Sequence, residues 1–263
     1  MKKLITILLA MVLSIACLFS FGCAEKQKTV GDSGKIIVGI TDYAPMDYLD
    51  DDGNWTGFDA ELSKVVFGNL GYTVEFKEID WDTKIVTLNA GTIDCIWNGM
   101  TVTDELLDNL LLTTPYLKNA QVAVVKVENL LNYTSKNDLI GKKVAVESGS
   151  AAEALVSAIQ GVSKINKATN QNAAVLDVFG NQSDVAIVDN LLARTLCLSS
   201  DYFGKLAYVD IGFSADNAEE FAVALRKSDS KLFYKVNKEI EKLKKDGTIL
   251  ALALKYGIAD SVI

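Results

Sequence analysis

Histidine is absent from all 263 residues. That removes the commonest general base and metal ligand, together with every Ser–His or Cys–His nucleophile arrangement. Of the four cysteines, Cys17 and Cys23 lie in the apolar leader, and Cys95 and Cys197 sit inside apolar runs. With no metal-ligand spacing, the latter two read as buried free thiols. What remains is recognition chemistry, by carboxylates, hydroxyls and backbone groups. Gly99, Met100 and Thr101 end an apolar strand with free backbone groups and one hydroxyl, suited to a carboxylate or an ammonium. Ser150, directly after Gly149, is placed to N-cap a helix over 151–160, whose free amides attract an anion. Asp50-Asp51-Asp52-Gly53 lacks the alternating ligands and closing Glu of a calcium loop, so it reads as an acidic surface turn. Neither a metal nor a cofactor is expected, and the chain does not read as an enzyme.

The elements that must position these groups alternate between the two periods. Strands are expected at Lys35–Ile40, 74–79, 93–97, 121–127, 143–146, 185–188, 207–209 and 220–226. Helices are expected at 57–71, 83–90, 150–160, 173–179, 190–198, 229–246 and 247–256. Strand–helix alternation means an α/β architecture with mainly parallel sheets. The pattern runs twice with no Gly/Ser-rich linker between the halves, which favours two lobes joined by ordered strands.

Met1-Lys2-Lys3 followed by an almost unbroken apolar run over 4–22 reads as an export signal. The junction Gly22-Cys23-Ala24 resembles the end of a bacterial lipoprotein signal, with Cys23 as the lipidated residue and polar 23–34 as a tether. Removing residues 1–22 takes away two lysines and no acid, leaving 24 basic against 34 acidic residues, a net charge of −10. Such a surface argues against electrostatic binding of nucleic acid.

Several segments together resemble the polar amino-acid-binding family of extracellular solute-binding proteins of ABC importers. They are 38–45 (VGITDYAP), 56–62 (TGFDAEL), 80–82 (DWD), 99–105 (GMTVTDE), 114–116 (TPY), 141–146 (GKKVAV), 183–189 (SDVAIVD), 246–248 (DGT) and 255–257 (KYG). The resemblance implies a two-lobed periplasmic-binding-protein (type II) fold. Lobe 1 would span 35–119 plus 221–263 and lobe 2 would span 120–220, with two crossing hinge strands near 118–122 and 218–222. Solute would bind between the lobes and close them. The implied ligand set adds Trp81 and Tyr43 as an aromatic sandwich, Asp189 as partner of an α-ammonium, Glu147 as a specificity carboxylate and Asp42 as a weaker candidate. The implied partners are a small solute (amino acid or amine), the transmembrane subunits of an ABC permease and, through the lipid, the outer face of the cell membrane. One departure stands out. The family carries an Arg three residues after Thr103 that clamps the ligand carboxylate, and this chain has Leu106 there. An amine-bearing solute, weak binding, an eroded sensor or scaffold, and a dehydratase-like secreted enzyme using Glu147 as acid are the readings that this departure leaves open.

Overall fold

The computed structural model describes residues 34–213 and 219–263, so the leader, the tether and Cys23 lie outside the described residues. The first β-branched run forms strand β1 (Lys35–Ile40). A short hairpin follows, β2 (Tyr48–Leu49) with β3 (Trp55–Thr56), then helix α1 (Phe58–Asn69) and strand β4 (Thr73–Glu78). The hairpin turn carries the acidic cluster: Asp50 Oδ1 accepts from the backbone N–H groups of Asp52 and Asn54 at 3.0 and 2.8 Å. A 3₁₀ turn at Trp81–Thr83 leads into helix α2 (Lys84–Asn89), strand β5 (Cys95–Ile96), helix α3 (Asp104–Asn109) and strand β6 (Leu111–Leu112).

Strand β7 (Leu117–Asn119) leaves the first lobe, and β8 (Gln121–Lys126) opens the second. Then come β9 (Lys143–Glu147), helix α4 (Ala151–Ser157), β10 (Lys164–Ala168) and helix α5 (Gln171–Phe179). Strand β11 (Val185–Asp189), helix α6 (Asn190–Cys197) and β12 (Leu206–Val209) complete this lobe. The chain returns through β13 (Glu219–Phe221) to β14 (Ala224–Leu225) and helices α7 (Ser230–Lys245) and α8 (Thr248–Lys255).

One five-stranded sheet has the order β4-β1-β5-β14-β6 and the other β10-β9-β11-β8-β12. Each is mixed, which corrects the expectation of mainly parallel sheets. β14 runs antiparallel to β5 and β6, and β8 antiparallel to β11 and β12. These reversals are where the chain crosses between lobes, so the crossing itself imposes them. The crossing strands β7 and β13 pair antiparallel, Asn119 opposite Glu219 and Leu117 opposite Phe221. The chain therefore has the two-lobed type II architecture with paired hinge strands.

Both faces of the three central strands of the second sheet, β9, β11 and β8, are buried, which is why they read as continuous apolar runs rather than alternating ones. On β8, Val122 and Val124 pack to one side and Ala123 and Val125 to the other. The thiols of Cys95 and Cys197 are both free and buried. Among the described residues no helix is long and apolar enough to cross a membrane.

Candidate functional site

Strand ends and helix starts from both sheets converge on a cavity of about 300 Å³ between the lobes. Its first-lobe wall holds Trp81, Lys84, Gly99, Met100, Thr101 and Leu106; its second-lobe wall holds Gln121, Glu147, Ser150, Gln171 and Asp189. Seven of the nine expected ligand residues are thus brought together. Asp42 and Tyr43 are not on the wall. Tyr43 is 1% exposed, with its ring edge-on to Phe221 at 6.5 Å, so the expected aromatic sandwich does not form and only Trp81 faces the cavity. Asp42 instead lies at the seam of the lobes, where its carbonyl accepts from Asn172 Nδ2 at 3.1 Å.

The strand end Gly99–Thr101 is held from behind. Asp59, fully buried at the start of α1, accepts from the Gly99 N–H at 2.6 Å and from the Tyr116 hydroxyl at 2.8 Å. Burial pushes the Asp59 carboxyl up to about 7. Gly99 has φ 55°, and a Cβ there would fall 2.6 Å from the Tyr43 ring, so only glycine fits this turn. Ser150 caps α4 by accepting from the Glu153 N–H at 3.2 Å, and its own hydroxyl donates to the Glu147 carbonyl at 2.7 Å.

Asp189 ends β11 inside a cage of amide donors. Its Oδ1 accepts from Asn119 and from Gln121 Nε2 (2.7 Å), its Oδ2 accepts from Gln171, and its N–H donates to Gln171 Oε1 at 2.9 Å. A carboxylate offers about four lone-pair sites; three are taken by these amides, and the buried Tyr43 hydroxyl faces the same carboxylate. The same Asn119 and Gln121 amides donate to Glu219 Oε2, each at 2.9 Å, which joins the site to hinge strand β13. Burial and the Asp189 charge raise Glu219 to about 6. Glu147, 3% exposed, is raised to about 8 by burial and then by Asp189. Its Oε1, and the Oε1 of Gln121, are buried with no donor.

The sequence reading passed over Lys84, Gln121 and Gln171. Gln171 had a signal, because Asn170 accepts from the Ala173 N–H and starts α5 two residues earlier than periodicity suggests. Lys84 had none, since a lysine in a short helix is usually solvated. Here its ammonium donates to Trp81 O at 3.2 Å and, across the lobes, to Gly149 O at 2.7 Å, and it lies 4.9 Å from the Trp81 ring centroid. Burial lowers its pKa. Leu106 lies on the wall, 3% exposed, so no cation enters from that position. Both arginines are engaged elsewhere: Arg226 with Asp94, Asp229 and two carbonyls, Arg194 with Asp260.

The family model for bacterial extracellular solute-binding proteins, family 3, matches residues 36–259. The chain belongs to that family. As a family 3 member it is a solute-binding protein. The L-cystine-binding protein TcyJ of Escherichia coli K12 is 32% identical over 92% of this chain and 89% of its own length. An ABC uptake transporter substrate binding protein from Streptococcus pneumoniae with bound histidine is 31% identical, with a TM-score of 0.78 over 85% of this chain and 92% of that one. An ancestral arginine-binding protein bound to arginine is 33% identical, with a TM-score of 0.79 over 85% of this chain and 98% of that one.

Proposed function

We propose that this family 3 protein captures an amino acid carrying extra positive charge, or a related amine, and delivers it to the transmembrane subunits of an ABC importer. The observation that carries this is the surplus of acceptors on the cavity wall. Glu147 Oε1 and Gln121 Oε1 are buried without donors, and both lie on the same wall as the Asp189 carboxylate. A buried acceptor without a donor costs about 1–3 kcal/mol, and an ammonium, which carries donors only, satisfies such groups together. The arginine and histidine bound by the two structural relatives support the same ligand class.

Asp189 would take the α-ammonium, Glu147 a second cationic group, Gly99–Thr101 and Ser150 the remaining polar contacts, and Trp81 the flat or apolar part. Transfer without turnover is part of the reading. Glu147 held protonated near neutral pH would also suit a general acid; on the binding reading the solute is nevertheless recovered chemically unchanged, and recovery of an altered product would overturn that part. The export signal and the Cys23 junction support a lipoprotein held outside the cytoplasmic membrane. Calorimetry of the mature protein against L-arginine, L-lysine, L-histidine, L-cystine and L-glutamate tests the ligand class. The cationic members should bind tightest; tighter binding of L-glutamate would overturn it.

A further inference from the structure

We propose that Lys84 holds the carboxylate of the bound solute, which deepens the ligand reading above and rests on it. The cavity wall carries four carboxylates, Asp104, Glu105, Glu147 and Asp189, and among the described residues Lys84 is its one cation. Lys84 is 7% exposed, yet both of its hydrogen bonds go to carbonyls, Trp81 O and Gly149 O, and not to a carboxylate. A buried ammonium is expensive unless an anion pairs with it. The charges of Glu147, Glu105, Asp82 and Glu153 act on it, but no hydrogen bond joins it to any of them. Lysine has three N–H donors; two are used, and the third is free for an anion.

The surroundings suit that role. Trp81, Met100 and Leu106 give Lys84 an apolar wall, where a charge-assisted bond is stronger than in water. Glu147 lies within the fields of both Asp189 and Lys84, so the acidic and basic partners face one space. A solute with an ammonium at Asp189 and a carboxylate at Lys84 is an amino acid, and one with further positive charge can also use Glu147. Because the Lys84 ammonium also bonds the Gly149 carbonyl of the opposite lobe, a carboxylate held there is held where the lobes meet.

The test compares amino acids with their decarboxylated partners, L-arginine with agmatine and L-histidine with histamine, by calorimetry. Wild type should bind each amino acid more tightly than its amine. Lys84→Met should weaken the amino acids by about tenfold or more, the value of one charge-assisted bond, and leave the amines within about threefold. Lys84→Arg should restore the preference for the carboxylate, and a thermal melt of each variant checks that it is folded. Equal losses for acid and amine, or wild-type preference for agmatine over L-arginine, would overturn the role of Lys84 while leaving the cationic-solute reading intact. Wild type that binds none of the four overturns both, and does so before any variant is made.

Discussion

Glu147 sets stability against binding. Its ordinary carboxyl value of 4.5 rises to about 8 in the fold. The native state therefore holds a proton that the unfolded chain releases, and stability falls as pH climbs from about 4.5 toward 8. Glu147→Gln removes that cost. The apo variant should be more stable than wild type by about 1–3 kcal/mol at pH 8 and nearly unchanged at pH 4.5, read from denaturant curves at both pH values. A bound cation stabilises the Glu147 carboxylate, so wild type should release a proton on binding at pH 7, and affinity should climb toward pH 8 and level off above it. Calorimetry in two buffers of different ionisation enthalpy reads that proton; no buffer dependence would remove Glu147 from the site. Asp189 behaves differently. Its cage consists of donors only, so Asp189→Asn places an amide NH₂ against Gln171 or against Asn119 and Gln121. That variant should lose binding and also lower the apo melting temperature; an unchanged melting temperature would count against the cage as described.

At the scale of elements, the turn between β9 and α4 decides how closely the lobes approach. Gly149 has φ 71°, and a Cβ on it would lie 2.7 Å from Asp82 Cα in the other lobe. Gly149→Ala adds a strain of about 1 kcal/mol within lobe 2, but its main effect is to wedge the lobes apart. Ligand affinity should drop by about tenfold or more, while the apo melting temperature falls by only a few degrees. Small-angle scattering should show wild type compacting on ligand and the variant failing to do so. Normal compaction in the variant would mean that this contact does not limit closure.

For the whole molecule, the hinge pair β7–β13 and the cavity form one network, because Asn119 and Gln121 bridge Asp189 to Glu219. Closure on a solute then adds contacts that the open form lacks, which is how ligand drives a hinge equilibrium. A solute at a hundred times its Kd should raise stability by about 2.7 kcal/mol, visible as a thermal shift. Anchoring is tested separately: Cys23→Ser should release into the soluble fraction, or leave unprocessed, a protein that wild type holds at the membrane. Unchanged detergent partitioning would sink the lipoprotein reading.

The amino-acid sequence by itself determined the strands and helices whose burial pattern is local. Lys35–Ile40 and the apolar runs of β8, β9 and β11 are strands wherever they pack, because continuous β-branched sequence has few other stable uses. It also determined the family, the helix cap at Ser150 and seven residues of the cavity wall, most of which sit at strand ends that a repeating β–α pattern brings to one edge. Tertiary structure decided what depended on a distant partner. The expected strand 220–226 is two strands, because Glu219–Phe221 pairs with β7 and Ala224–Leu225 with β5 and β6. The charged segment Lys164–Ala168 is a strand only because β9 offers it an edge. Tyr43 turned out to be core, because Phe221 and Gly99 close over it. Lys84 shows the limit most plainly. Nothing within several residues of it distinguishes it from a surface lysine; it is buried because Gly149, 65 positions away, presents a carbonyl to it from the other lobe.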